Sequence, residues 1–300
     1  MIQTGVARGT LADAERGTLY RVRRRVTFFA RHYPLGFAGG VLLMMMITVA
    51  ILAPLIAPYD PLGQDIPNKL AAPSSQFWFG ADNFGRDVLS RVLYGARISL
   101  YVGFASVGLA TVVGMLIGVA SGYLGGVVDL VIQRVVDMLL GFPGLILAMV
   151  MVVAIGASLN NVVFAIAVVF APRVVRLARS SALSIKEEPY VLAALSIGAS
   201  HIRIMLRHIL PNALAPVFVL ATGYLGTAIV VEASLSYLGL GVPPPHASCG
   251  NMIFAGSRGT LEAAPWLSVF PGLALAFVVF SFSFLGDALR DAFDPRLRGT

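Results

Sequence analysis

The sequence predicts an all-α membrane protein with six transmembrane helices, and three observations predict it. Hydrophobic types make up 57% of the 300 residues and charged types only 12%, about half the charged share of an average soluble domain. Mean hydropathy is +0.83. The apolar residues are gathered into six runs, most near the roughly 20 residues a helix needs to cross hydrocarbon, where each backbone group must find its partner within the protein. The net charge of +7, from 22 Lys and Arg against 15 Asp and Glu, would suggest nucleic acid in a soluble protein; here it is read against a bilayer. A single cysteine, Cys249, excludes an intramolecular disulfide and a multi-cysteine metal site.

Residues 1–34 form a basic tail bearing Arg21, Arg23, Arg24, Arg25 and Arg31. The charge-free stretch from Tyr33 to Tyr59 exceeds the apolar core of a signal peptide, about 7–15 residues, so 35–57 is read as an uncleaved first span. The segment 58–96 carries Pro58, Pro61, Pro67 and Pro73 and is read as a loop. The second span lies within the charge-free Ile98 to Val128. In it Ser106, Ala110, Gly114, Gly118 and Gly122 recur every four residues, a spacing that lets helix backbones approach closely in lipid. The partner of that stripe is either within the chain or another subunit.

The third span is uninterrupted from Met138 to Ala157. Its helix begins near Asp129 and must bend or break at Gly141-Phe142-Pro143-Gly144. The fourth, Val162 to about Leu177, loses its clean apolar character at Pro172-Arg173. The fifth is Ala213 to Val231, followed by a loop 236–265 containing Gly239, Gly241 and Pro243-Pro244-Pro245, and the sixth runs from about Trp266 to Gly286. Residues 289–300 form the second tail.

Six spans put both termini on one side. The N-terminal tail holds seven Lys and Arg, the segment from Arg173 to Arg207 six, and the C-terminal tail three, against five on the other side: Lys69, Arg86, Arg91, Arg97 and Arg258. The positive-inside rule makes both termini cytoplasmic, with the loops 58–96 and 236–265 outside.

The segment 178–212 differs from the spans. Val191, Leu195, Ile202, Met205 and Ile209 follow the three-and-four spacing of one helical face, while Glu187, Arg203, Arg207 and His208 are polar. Gly198 can end a first helix in the left-handed conformation, Ser200 can cap a second, and Pro211 is a natural stop. The outcome is a cytoplasmic helix–turn–helix. It is either an amphipathic pair on the membrane surface or a docking element for a cytoplasmic partner. A DNA reader shares the outline, but tethers to spans at both ends argue against nucleic acid.

Around this element the residues resemble a known family. Ala193-Ala194, Gly198 and Ile209-Leu210-Pro211 resemble the "EAA" loop of binding-protein-dependent ABC importer permeases. Other stretches match too: Ala57-Pro58-Tyr59-Asp60-Pro61, the run Gly80 to Arg91, Gly95-Ala96-Arg97, and Arg207 to Asn212. The later ones are Glu232-Ala233-Ser234-Leu235-Ser236, Leu238-Gly239-Leu240-Gly241, and Gly286 to Asp291 with Asp294-Pro295-Arg296. The whole resembles the second permease subunit of the dipeptide, oligopeptide and nickel group over about 250 residues. Leu192 stands where the family's loop has its acidic residue, and Cys249 where tryptophan is expected.

The resemblance implies a type-1 ABC importer permease fold with a core at 97–288, set in a bacterial-type inner membrane. It implies a second homologous permease subunit, two ATP-binding subunits or a fused pair, and an extracytoplasmic substrate-binding protein as partners. Leu192, Ala193, Ala194, Gly198, Arg207 and Pro211 are the residues it assigns to the ATPase-coupling loop. Ala193, Ala194 and Gly198 are expected to be small because a partner packs on them, and Gly198→Leu to stop ATP-driven uptake without blocking insertion. Thr222 and Tyr224 of the fifth span, and the loop from Pro243 to Asn251, are expected to line the path. The solute is a short peptide or a related compound such as nickel, glutathione or an opine.

Two other classes make different demands. Lys69 and Lys186 are the sole lysines and neither sits in a phosphate-cradling glycine loop, so ATP and magnesium belong to a separate chain and no cofactor is expected in this one. An intramembrane enzyme needs ionisable groups inside its spans, yet His32, His201, His208 and His246 fall at edges or in loops. An ion-coupled secondary transporter needs charge in mid-span. Arg134 and Asp137, three apart, are expected to pair on one helix face, and Glu232 to lie near the outer surface.

Overall fold

The computed structural model describes residues 27, 30–243, 245–257 and 260–293. Of the residues singled out above, Arg21, Arg23, Arg24, Arg25, Pro244, Arg258 and Asp294-Pro295-Arg296 lie outside the described residues. Among the described residues the chain is helical, without a strand. The helices are α1 (Pro34–Ile56), α2 (Val88–Leu124), α3 (Gly126–Leu140), α4 (Gly144–Ile155) and α5 (Leu159–Ile185). They continue with α6 (Pro189–Ser196), α7 (His201–Ile204), a π turn (Met205–Ile209), α8 (Leu210–Tyr237), α9 (Cys249–Ser257) and α10 (Trp266–Phe293).

Among the described residues five stretches are long and apolar enough to cross a bilayer: α1, α2, α5, α10, and the run His201–Tyr237 that joins α7, the π turn and α8. The expected third span is not one straight helix: α3 and α4 are long and apolar enough only together, and they meet at 96°. Pro143 stands at the corner in extended geometry with ψ 126°. Its ring disfavours helical geometry at Phe142 and it has no N–H for the helix ladder.

Helix ends depart from the apolar runs in four places. Asp87 caps α2 by accepting from the Ser90 backbone N–H at 2.8 Å, so residues 88–96, read as loop, are helical. α5 passes through Pro172 and Arg173 to Ile185, since its polar inner turns are held by ion pairs rather than by lipid. α10 continues past Gly286 to Phe293. Pro211 does not stop a helix but sits in the first turn of α8. The π turn has already shifted the ladder there, with the Leu210 N–H donating to Met205 O, and Asn212 Nδ2 donates to His208 O at 2.6 Å. A proline without an N–H is tolerated at such a site.

The expected Arg134–Asp137 pair is replaced by cross-helix pairs. Asp137 meets Arg176 at 2.6 Å, and Asp129 takes both Nε and Nη2 of Arg179 at 2.6 Å. These bonds tie α3 to α5, where a pairing within α3 would tie nothing.

The most extensive helix contact is α2 on α5, and the small-residue stripe lies in it. A Cβ on Gly114 would stand 2.8 Å from Val174 Cβ, one on Gly118 2.5 Å from Val175 O, and one on Gly122 2.6 Å from Arg179 O. Ser106 and Ala110 are buried further along the same face. The stripe therefore packs within the chain. A second close approach joins α1 to α10, where a Cβ on Gly39 would stand 2.8 Å from Phe284 Cβ.

At the end of the bundle remote from α6, Glu232 is fully buried. Ser99 Oγ on α2 donates to it at 3.0 Å and Ser236 Oγ at 2.8 Å. Ser236 Oγ in turn accepts from the Val242 N–H at 3.3 Å. This carboxyl thereby joins α2, α8 and the loop after α8.

Candidate functional site

Two surfaces at the other end carry the candidate residues. The first is the hairpin formed by α6, residues 197–200 and α7. Gly198 has φ +82° and open space where a Cβ would be, so it is glycine for its backbone, which L-residues with a side chain adopt at a cost. Ser200 caps α7 by accepting from Arg203 N at 3.4 Å.

The apolar face expected on this hairpin is divided. Val191, Ile204 and Ile209 are buried against the bundle, together with Met115 and Val119 of α2 and with Met205 partly buried beside them, and Ala194 is buried as well. Leu195 and Ile202 are exposed, as are Leu192, Ile197 and Leu206, with Leu192 and Leu195 at the rim of a cleft facing the end of α2. Ile197 is 85% exposed and Ile202 65%. The physical reason is that two short helices broken at Gly198 present two faces, one to the bundle and one away from it. Of the three small residues, Ala194 faces the interior, Gly198 answers to its own φ, and Ala193 lies on the exposed side. Arg207 and Pro211 are exposed, and Leu192, half-exposed, borders the same cleft at the hairpin's root.

The hairpin is not loosely attached. Tyr123, near the end of α2, places its hydroxyl 2.8 Å from His201 Nδ1, and the Tyr190 hydroxyl accepts from Asn212 Nδ2 at 3.2 Å. A cleft of about 380 Å³ at its root is lined by Tyr123, Lys186, Glu187, Leu192 and His201, among others. Sequence reading missed Tyr123, which looks there like an ordinary aromatic at a helix end.

The second surface is a pair of clefts on the exposed sides of α5, α8 and α10. One, of about 710 Å³, is lined by residues including Gly223, Tyr224, Thr227, Asp287 and Arg290. The other, of about 520 Å³, adds Arg173, Arg176 and Ser180, and the two share Leu177, Leu220 and Tyr224. Tyr224 stacks on Phe170 with ring centroids 4.8 Å apart. Thr222 is half-buried and donates to Val219 O at 2.8 Å, outside the residues that line these clefts. Asn251 lines neither. Its side chain donates to Val242 O at 2.6 Å, and it borders a small hollow with Asp82, Arg86 and Arg91. The structure thus brings Tyr224 to a cleft and does not bring Thr222 or Asn251 with it.

Comparisons with known proteins agree on the kind of molecule. The family described as binding-protein-dependent transport system inner membrane component matches residues 114–299. The N-terminal TM domain of oligopeptide transport permease C matches 29–73. The dipeptide transport system permease protein DppC of Alkalihalophilus pseudofirmus is 42% identical over 264 residues, covering 88% of this chain and 86% of that protein. The glutathione transport system permease protein GsiD of Escherichia coli is 42% identical over 270 residues, covering 90% and 89%. The fold is similar to that of a chain in inward-facing crystals of the MetNI methionine ABC transporter, with a TM-score of 0.54 at 20% identity, over 68% of this chain and 97% of that one.

Proposed function

Because the chain belongs to the binding-protein-dependent transport system inner membrane components and is a permease subunit of an ABC importer, we propose that it forms half of a path for short peptides. Its drive comes from a separate ATPase through the hairpin 189–209. The observation that carries this reading is the hairpin itself: an outward apolar patch of Leu192, Leu195, Ile197, Ile202 and Leu206 on an element hydrogen-bonded to α2 through Tyr123 and His201. A gripped element transmits displacement only if it is rigid relative to the spans, and a patch of this kind is the signature of an interaction site.

The partners are a second homologous permease, two ATP-binding subunits or a fused pair, and an extracytoplasmic binding protein that meets the loops at the far end. The relatives named for dipeptide and glutathione transport support a peptide-like solute. The distribution of Lys and Arg supports an orientation with hairpin and termini in the cytoplasm. The core spans 97–288. Leu192, Ala193, Gly198 and Arg207 make or shape the ATPase contact, while Ala194 and Pro211 hold the hairpin's own geometry. The ion-coupled alternative has no comparable support, since Asp129 and Asp137 are engaged by Arg179 and Arg176 and Glu232 by the Ser99 and Ser236 hydroxyls.

The test is reconstitution. The tagged chain is extracted into lipid nanodiscs, its companions are identified by mass spectrometry, and the assembly is placed in proteoliposomes with its binding protein. ATP-dependent uptake of Ala-Ala or glutathione is expected. Recovery of the chain alone, with uptake driven by an ion gradient, would contradict the proposal.

A further inference from the structure

Arg173 poses a problem of solvation. It is residue 15 of the 27 in α5, with Val174 and Val175 buried beside it, yet its own side chain is exposed. At about 1.5 Å per residue it lies about 21 Å along the helix from Leu159, which puts it toward the cytoplasmic end of a span about 30 Å thick. An arginine facing lipid at that depth is costly, and intramembrane cations face a water-filled cavity or a partner instead. Its two neighbours on the same helix are accounted for, Arg176 by Asp137 and Arg179 by Asp129. Among the described residues no carboxylate stands within ion-pairing distance of Arg173. It lines the cleft of about 520 Å³ together with Tyr224, Leu220 and Ser180.

We infer that Arg173, with Tyr224 lining the same cleft, is the contact on this chain for the carboxylate of the solute as it passes. The chemistry is specific. A planar guanidinium offers paired N–H donors that match a carboxylate, and a phenol can donate a further hydrogen bond to the same oxygen. A fixed positive charge there favours a carboxylate-bearing, zwitterionic or anionic solute and opposes a bare divalent cation. The two clefts joined at Leu177, Leu220 and Tyr224 give such a solute room beyond the contact. This deepens the proposed function and rests on its reading of the chain as half of a peptide path.

The test has two arms in the reconstituted assembly. In the first, uptake of Ala-Ala is compared with that of Ala-Ala amide, which lacks the carboxylate. The wild type is expected to prefer the free acid, and Arg173→Gln to lower Ala-Ala uptake about tenfold, the worth of a charge-assisted contact, while ATP hydrolysis stimulated by the binding protein persists. Arg173→Lys is expected to restore part of it. Equal losses for acid and amide, or wild-type uptake by Arg173→Gln, would overturn the inference. The second arm does not need transport. Leu220→Cys, in a Cys249→Ser background, is labelled with anionic and cationic methanethiosulfonates of similar size. Faster anionic labelling that disappears with Arg173→Gln is expected, and no labelling or no charge preference would overturn the inference. A wild-type assembly that moves neither Ala-Ala nor glutathione would count against the peptide reading, and the labelling arm would then decide the cleft on its own.

Discussion

The Tyr123 hydroxyl and His201 Nδ1 lie 2.8 Å apart, joining the end of α2 to the first residue of α7. Because α2 is also packed along α5 through its small residues, a displacement of the hairpin reaches the two most closely packed helices directly. Tyr123→Phe keeps the ring and removes the hydrogen bond. A loss of about 1 kcal/mol, or about fivefold in a coupled equilibrium, is expected. It should be read as fewer solutes imported per ATP hydrolysed, with assembly unchanged. An unchanged ratio would show that the bond does not transmit.

Gly198 and its neighbours separate two reasons for being small. A Cβ at Gly198 would meet nothing within 4 Å, but φ is +82°, a conformation costing an ordinary residue about 1–2 kcal/mol. Asn tolerates it better than most. Gly198→Asn is therefore expected to keep most uptake and Gly198→Leu to lose it, with insertion intact in both. Equal loss in both variants would restore the view that a partner packs on this position.

Gly118 and Gly108 share α2 but not a neighbour. A Cβ on Gly118 would stand 2.5 Å from Val175 O and 2.7 Å from Ala178 Cβ, whereas one on Gly108 meets nothing within 4 Å. Gly118→Val is expected to cost at least about 1–3 kcal/mol through overpacking and Gly108→Ala almost nothing. Thermal denaturation of the extracted assembly checks the order. The reverse order would place the packing surface on the wrong side of α2.

The two α3–α5 ion pairs are unequal. Asp129 holds Arg179 through two bonds with side chains 18% and 32% exposed, while Asp137 and Arg176 are 48% and 55% exposed. Asp129→Asn should cost about 2 kcal/mol, short of the loss at a fully buried pair. Asp137→Asn should cost less than about 1 kcal/mol. Chemical denaturation of the two variants side by side measures the difference.

Cys249 is buried, and burial, with the Glu232 carboxylate second, pushes its thiol up to about 12. The thiolate is the reactive form, so below that pKa little of it exists and nothing reaches it. Maleimide labelling is expected to stay negligible from pH 7 to about pH 9 and to become rapid once the chain is unfolded. Labelling of the native chain at pH 7 would mean that the loop over α8 opens.

Much of this architecture can be read in the residues, because lipid leaves few options for an apolar run. The first, second, fifth and sixth spans and the corner at Pro143 follow from length and proline chemistry. The ends of α2, α5 and α10 do not, since hydropathy marks where lipid stops and a helix continues wherever its polar turns find partners, as Arg179 does in Asp129. Pro211 misleads for a related reason: a π turn ahead of it removes the penalty that makes proline a stop. The hairpin is visible as a helix, a glycine and a second helix, but which apolar residues face out depends on how the break at Gly198 turns α7. Arg173 is hidden by the same habit that ends the fourth span at the first arginine. Once α5 is seen to run on, that arginine becomes the polar group most in need of an explanation.

The central claim is that the outward patch of the hairpin is where an ATPase grips this chain. Its most direct test is a photo-crosslinking residue placed at Ile197, the hairpin residue 85% exposed, in the assembly reconstituted in nanodiscs. The account predicts a crosslink to the ATP-binding subunit whose yield changes when ATP is bound, with Val191, buried on the opposite face, as a silent control. Crosslinks to lipid alone, with or without ATP, would contradict it and make the hairpin an amphipathic pair lying on the membrane surface.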